Sequence, residues 1–250
     1  FSSEEELADA ARLLVGEGGR QLDQANPFAN VNLCGRIRVH ALLASAVNSK
    51  THISLRVHGE RPFGLEQLAQ IGTLSADDYR NLASIVQSRE SFLISGSSGS
   101  GKTTLLRAML MLAAHERIIA IEDVAELNLE ALSYVSMQTR TANVEGRGEI
   151  NLQTLLTESL RMRPDRIVVG EIRGTELITL LQAINTGHAC GATIHANSIS
   201  EVSKRLLAIA HSAGLGEAAL NALVRSSLNW LIHIDCIDAK RKVTIRKLAA

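Results

Sequence analysis

Residues 96–103 read Gly-Ser-Ser-Gly-Ser-Gly-Lys-Thr, and no other stretch restricts what this chain can fold into so tightly. The spacing fits G-x-x-x-x-G-K-[ST], a loop whose bare backbone amides surround phosphate oxygens. Such a loop needs a strand before it and a helix after it. Ser91-Phe92-Leu93-Ile94-Ser95 reads as a buried strand, and Thr104-Leu105-Leu106-Arg107-Ala108-Met109-Leu110 as an apolar helix. The helix N-terminus adds partial positive charge. Ser97, Ser98, Gly99, Ser100, Gly101, Lys102, Thr103 and Thr104 are therefore the expected nucleotide-binding residues. Lys102 has the length to reach the β- and γ-phosphates, and the Thr103 hydroxyl can ligate Mg²⁺. ATP and Mg²⁺ are the expected ligands.

After residue 90 short apolar runs alternate with helical patterns. Strands are expected at Phe92–Ser95, Ile118–Glu122, Tyr134–Met137, Ile167–Gly170 and Ala192–His195. That alternation predicts an α/β fold with a mainly parallel, helix-covered sheet. Ligands on such sheets bind at the carboxyl ends of strands. The tail, Leu228–Ile237 and Val243–Leu248, reads as an antiparallel pair.

The first sixty residues have a different character. Ser3-Glu4-Glu5-Glu6 is a capping-box start, and Leu7, Ala11, Leu14 and Val15 follow at helical spacing. Further on, Ile37, Val39 and Ala41 alternate with Arg36, Arg38 and His40, and Ile53, Leu55 and Val57 with Ser54 and Arg56. Period two predicts one buried and one exposed face, with arginines along the latter. Arg61-Pro62-Phe63-Gly64 reads as a linker, followed by a short helix around Leu65–Ile71 and another over Ser75–Ser88. The expected division is a smaller α/β domain over 1–60, a linker over 61–74 and a nucleotide-binding domain over 75–250.

Acids end two of the apolar strands. Glu122-Asp123 follows Ile118–Ile121, and Glu171 follows Arg166-Ile167-Val168-Val169-Gly170. A carboxylate at a strand tip in a P-loop fold can hold Mg²⁺ or its water, or align the attacking water. Two histidines, His188 after Thr186-Gly187 and His195 in Thr193-Ile194-His195-Ala196-Asn197, have polar contexts suited to contacting a γ-phosphate or a positioning acid. Arg38, Arg56, Arg140 and Arg147 are candidate phosphate contacts, because a permanently charged planar fork suits phosphate oxygens.

Composition narrows the partners. Lys+Arg and Asp+Glu are equal at 26 each, without the basic excess of a nucleic-acid protein. Aromatics are 3% of residues, which disfavours base stacking. No segment is apolar and long enough to span a bilayer. Cys34, Cys190 and Cys236 match no metal or redox spacing and are expected to be small buried residues of a protein in a reducing cytosol. The chain opens at Phe1 rather than Met, which reads as a piece of a longer protein.

Together these residues resemble the secretion-superfamily ATPases of the type II/type IV group, most of all those of tight-adherence (Flp) pilus systems. Four boxes carry the resemblance: 96–103 (Walker A); Ile121-Glu122-Asp123-Val124-Ala125-Glu126-Leu127 (Asp box); Ser159–Asp165 through Gly170-Glu171-Ile172-Arg173-Gly174 (Walker B); and Thr186-Gly187-His188 with Ala192–Ser198 (His box). Residues 140–149 also resemble the tight-adherence subgroup. The resemblance implies a RecA-like ATPase domain, a PAS-like N-terminal domain and a ring of six chains powering pilus assembly or secretion. It implies that Glu122 positions the attacking water, that Glu171 acts on Mg²⁺ through water, and that His195 and His188 sense the γ-phosphate. It further implies that Arg38 and Arg56 close onto the nucleotide. Val57 stands where family members often carry a second arginine, and Gly35-Arg36 where an Asp-Gly pair is common. The implied partner is an integral platform protein of the inner membrane, reached from its cytoplasmic face, without direct nucleic-acid binding. The competing expectations are a RecA-like nucleic-acid motor and a nucleotide-dependent scaffold with negligible turnover.

Overall fold

The structure, a computed structural model, describes residues 1–46, 50–57, 63–143, 145–238 and 240–248. His58, Val144 and the Arg61-Pro62 half of the expected linker lie outside them. The chain divides into two compact units, one of residues 1–61, 122–128 and 138–152, the other of 62–121, 129–137 and 153–250.

In the first unit, α1 (Glu4–Glu17) starts where the acidic cluster predicts. The Ser3 hydroxyl accepts from the Glu6 N–H at 3.1 Å, while the Glu6 carboxylate reaches back to the N–H of Ser2. Gly18 is the C-cap of the helix, and nothing larger fits there: a Cβ would lie 2.3 Å from the Val31 Cβ. β1 (Phe28–Leu33), β2 (Ile37–Leu42) and β3 (His52–Val57) form an antiparallel sheet in that order. Ala8, Ala11 and Val15 of α1 pack with Ala29 and Val31 of β1 and Val39 and Ala41 of β2. The alternation in β2 thus has its expected buried face. That of β3 does not: Leu55 and Val57 are 60% and 68% exposed. β3 is the sheet's edge, and α1 packs over β1 and β2, leaving the far end of that face uncovered.

The second unit begins with α2 (Leu65–Gln70) and α3 (Ala76–Gln87); Leu65 and Leu68 are buried, so this stretch of the expected linker packs as a helix. It continues through β4 (Phe92–Gly96), α4 (Lys102–Leu110), β5 (Arg117–Glu122), β6 (Ser133–Gln138), α5 (Leu152–Ser159), β7 (Arg166–Ile172), α6 (Glu176–Asn185), β8 (Ala189–His195), α7 (Glu201–Ser212), α8 (Glu217–Ser227), β9 (Trp230–Ile237) and β10 (Lys240–Lys247). Among the described residues its sheet has seven strands, ordered β10-β9-β4-β8-β7-β5-β6. β4 pairs parallel with β8 and β9, and β7 parallel with β5 and β8. β9 and β10 form the expected antiparallel pair. Every residue of β4 and Ile118–Ile121 of β5 are buried, as continuous apolar runs in a two-sided parallel sheet must be.

Packing between the central strands leaves no slack. Gly191 of β8 faces Phe92 of β4 in register, and a Cβ on Gly191 would lie 2.7 Å from the Phe92 ring. Gly191→Ala should therefore cost about 1–3 kcal/mol, the range for overpacking a core. Urea unfolding would measure it, and a loss below ~0.5 kcal/mol would mean the ring moves freely. At the foot of β7, Arg166 is fully buried and pairs with Glu116 at 2.8 and 3.2 Å, while also donating to the Val86 carbonyl at 3.0 Å. A buried guanidinium persists only when paired in this way, and the pairing fixes where β7 starts.

Two expectations are corrected here. Cys34 and Cys236 are exposed: Cys34 occupies a left-handed turn position at φ 51°, and Cys236 sits one residue from the turn end of the β9–β10 hairpin. Cys190 alone is buried, and burial pushes its thiol pKa up to about 12. Among the described residues no single helix is long and apolar enough to cross a membrane.

Candidate nucleotide site

The P-loop leaves the carboxyl end of β4 and runs straight into α4. Gly99 and Gly101 have φ of 74° and 108°, left-handed values that a Cβ would strain. Gly96 is required by proximity instead: a Cβ there would lie 2.5 Å from both the Ile234 carbonyl oxygen and the Ser100 Oγ. Gly101 is the N-cap of α4, so Lys102, Thr103 and Thr104 form its first turn, where unpaired amides favour an anion. The Lys102 Nζ donates to the carbonyls of Gly96 and Ser97 at 2.9 and 2.8 Å, folding over its own loop. Burial lowers its pKa below the ordinary lysine value, and the negative charge of Glu171 opposes that shift. Lys102 and Glu171 are thus within electrostatic reach of each other.

Strand order explains why. β8 lies beside β4 and β7 lies beyond it, so the three strand ends form one edge. His195, the last residue of β8, is paired directly with Gly96. The pairing of β7 with β8 breaks between Val169 and Ile172, a bulge that contains Gly170 and Glu171. A bulge re-aims the side chain it carries. The Thr193 hydroxyl stabilises it by donating to the Gly170 carbonyl at 2.6 Å. The Glu171 carboxylate is held by the guanidinium of Arg173, with Nε at 2.8 Å. Glu176 in turn accepts the amides of Arg173 and Gly174 at 2.6 and 2.8 Å, fixing the turn into α6. A cavity of about 600 Å³ opens beside Glu171 and His195, lined also by Arg173, Asn197, Lys204 and Arg205 and by none of residues 96–104. Arg173 and Thr193 stand inside the Walker B and His boxes without a role assigned from the sequence; here they hold the Glu171 carboxylate and the Gly170 carbonyl, contacts that depend on the bulge.

The Thr103 hydroxyl and the Glu171 carboxylate are hard oxygen donors of the kind Mg²⁺ takes. The donor set fits the ion.

His188 is not in this cluster. It precedes β8, whereas the P-loop meets the other end of the same strand at His195. Seven residues of extended chain put it roughly 20 Å away, too far to share a phosphate with His195. Its Nδ1 lies 3.1 Å from the Thr186 Oγ and 3.3 Å from the Ala183 carbonyl, so it closes the end of α6. The motif pairs the two histidines in sequence, but an intervening strand separates them in space.

The remaining predicted residues fall in the first unit. Arg38 and Arg56 face one another across β2 and β3. Like charges in that position repel, and Glu126 offsets one of them through an ion pair with Arg38. Glu122 is 3% exposed, and its carboxylate accepts the N–H groups of Glu126 and Leu127 at 3.0 and 3.3 Å. It organises the Asp-box turn. Arg20 donates to the Asp123 carbonyl in the same turn. The Arg140 Nε donates to the Gly148 carbonyl at 2.7 Å, and Arg147 is 82% exposed beside Glu145 at 3.8 Å.

One buried network behind the P-loop had no sequence signal. The Ser95 Oγ lies 2.8 Å from Nδ1 of His233, whose Nε2 lies 3.0 Å from Asp235. The order Ser, His, Asp resembles a hydrolase triad, but Ser95 is fully buried and no substrate can reach it. It is a strut between β4 and β9.

Comparison with known proteins agrees with this geometry. Residues 32–247 match the family model described as type II/IV secretion system protein. A putative conjugal transfer protein of Mycobacterium tuberculosis is 40% identical over 250 aligned positions, covering 97% of this chain and 71% of that protein. The type IV secretion system protein VirB11 of Bartonella quintana is 28% identical, covering 96% of this chain and 78% of its own. Among solved structures, the ATPase DotB of Legionella pneumophila superposes with a TM-score of 0.68 at 21% identity, covering 97% of this chain and 68% of that one.

Proposed function

This chain belongs to the type II/IV secretion system protein family, and from that premise we propose that it is an ATPase whose phosphoryl transfer to water drives a pilus-assembly or secretion machine. The observation that carries the reading is the convergence of the Lys102 loop, Glu171 and His195 at the ends of three neighbouring strands. Lys102 and the loop amides bind the triphosphate. Thr103 directly, and Glu171 through water, would hold Mg²⁺, which would supply charge neutralisation. His195 hydrogen-bonds the γ-phosphate. Glu122 aligns the attacking water, and Arg38, Arg56, Arg140 and Arg147 serve as phosphate contacts. The domain division at 1–60, 61–74 and 75–250 belongs to the same reading as a division of roles along the sequence; by compactness, residues 122–128 and 138–152 group with the first unit.

The finer proposal is a homo-hexamer on the cytoplasmic face of the inner membrane, working on an integral platform protein, in a tight-adherence pilus system. Light scattering with and without a non-hydrolysable ATP analogue tests the ring. Steady-state phosphate release from Mg-ATP, measured with and without DNA at two salt concentrations, tests the activity. The expected result is turnover that DNA leaves unchanged. Strong, salt-sensitive stimulation by DNA would favour a nucleic-acid motor instead, and negligible turnover by an assembled ring would favour a scaffold.

A further inference from the structure

The carboxyl-terminal hairpin reaches the nucleotide loop from the side opposite β8. β9 pairs with β4 along its length, so Ile234 lies beside Gly96. The side chain of Ile234 would also lie 3.5 Å from a Cβ on Gly101. Arg241, on β10, then crosses over the loop. Its Nε–H donates to the carbonyl of Ser100 at 3.1 Å, and Nε would lie 3.3 Å from a Cβ on Gly101. The partners are 141 residues apart in sequence. Ser100 itself is fully buried.

That bond acts on one peptide plane. The Ser100 carbonyl and the Gly101 N–H belong to the same trans peptide and point in opposite directions. Drawing the carbonyl toward β10 therefore turns the Gly101 N–H away from the hairpin. Gly101 has no Cβ to resist rotation about its φ of 108°, so the plane depends on the hydrogen bonds made to it. We propose that Arg241 is a positioning residue that locks the Ser100–Gly101 peptide with its amide aimed at the bound phosphates. Its effect passes through the backbone, so it sets affinity for the phosphate chain irrespective of the base. The proposal rests on the ATPase reading of the loop. Preorganised amides bind an anion without first reorienting.

The test measures dissociation constants for fluorescent ADP and for pyrophosphate as a competitor, with KM and kcat for ATP, in the full chain. Wild type and Lys102→Ala are measured alongside. If wild type binds no nucleotide, the ATPase reading fails before Arg241 is in question. Where wild type binds, Arg241→Ala should weaken ADP and pyrophosphate by the same factor, about tenfold, the scale of one charge-assisted hydrogen bond. KM should rise with it, while kcat changes less than about threefold. Arg241→Lys, which keeps a donor, should recover part of the loss. Unchanged affinities in Arg241→Ala would overturn the proposal. So would weaker ADP binding with pyrophosphate unaffected, because that places Arg241 on the nucleoside. A fall in kcat alone would do the same.

Discussion

Lys102→Ala removes nucleotide binding, and with it phosphate release, by at least the ~10²–10³-fold that loss of one preorganised charge-stabilising donor brings. The size follows from where the ammonium sits. It is half-buried, and its proton donors rest on the Gly96 and Ser97 carbonyls. Burial lowers the pKa, so the charged form gains most when an anion of high charge density replaces those neutral acceptors. Alanine offers neither the charge nor the reach, and the loop amides alone face four negative charges. Fluorescent-nucleotide titration and steady-state phosphate release check this directly. A variant that turns over ATP at the wild-type rate would end the enzymatic reading. The far-UV circular dichroism spectrum should be unchanged, since Lys102 lies in the first turn of α4 and bears on no core contact.

Glu171→Gln separates binding from chemistry. The amide keeps the shape of the side chain and can still accept from Arg173, so the bulge at Gly170-Glu171 survives. The negative charge is lost. Nucleotide affinity should stay within a few-fold of wild type while kcat falls by ~10² or more, the signature of an interaction made in the transition state. Single-turnover phosphate release, compared with equilibrium binding, makes the distinction. Unchanged kcat would remove Glu171 from the mechanism and leave the acid role to another strand end.

The P-loop and the strands around it were legible in the sequence because their physics is local. Glycines at fixed spacing, a lysine, and apolar runs long enough for a buried strand each state their own requirement. What escaped reading depends on neighbours that sequence does not order. Alternation in Ile53, Leu55 and Val57 shows that β3 has an apolar face, but not that only its Ile53 end is packed against the core while Leu55 and Val57 stay exposed. Likewise the His box names two histidines without saying that one strand holds them at its opposite ends. The bulge that turns Glu171 toward the P-loop is a relation between β7 and β8. The contact of Arg241 with Ser100 spans more than half the chain, and periodicity carries no information at that range.

The two units are not consecutive beads. By their boundaries the backbone passes from one to the other after residues 61, 121, 128, 137 and 152. Proteolysis in the first connection would separate residues 1–61 from the 122–128 and 138–152 segments of their own unit, and no single contiguous fragment contains either unit alone. The first unit is complete only once residue 152 has been made, almost a hundred residues after the end of its sheet. Gene fusions and truncations at residue 61 would therefore divide a fold, although the sequence there reads as an ordinary linker.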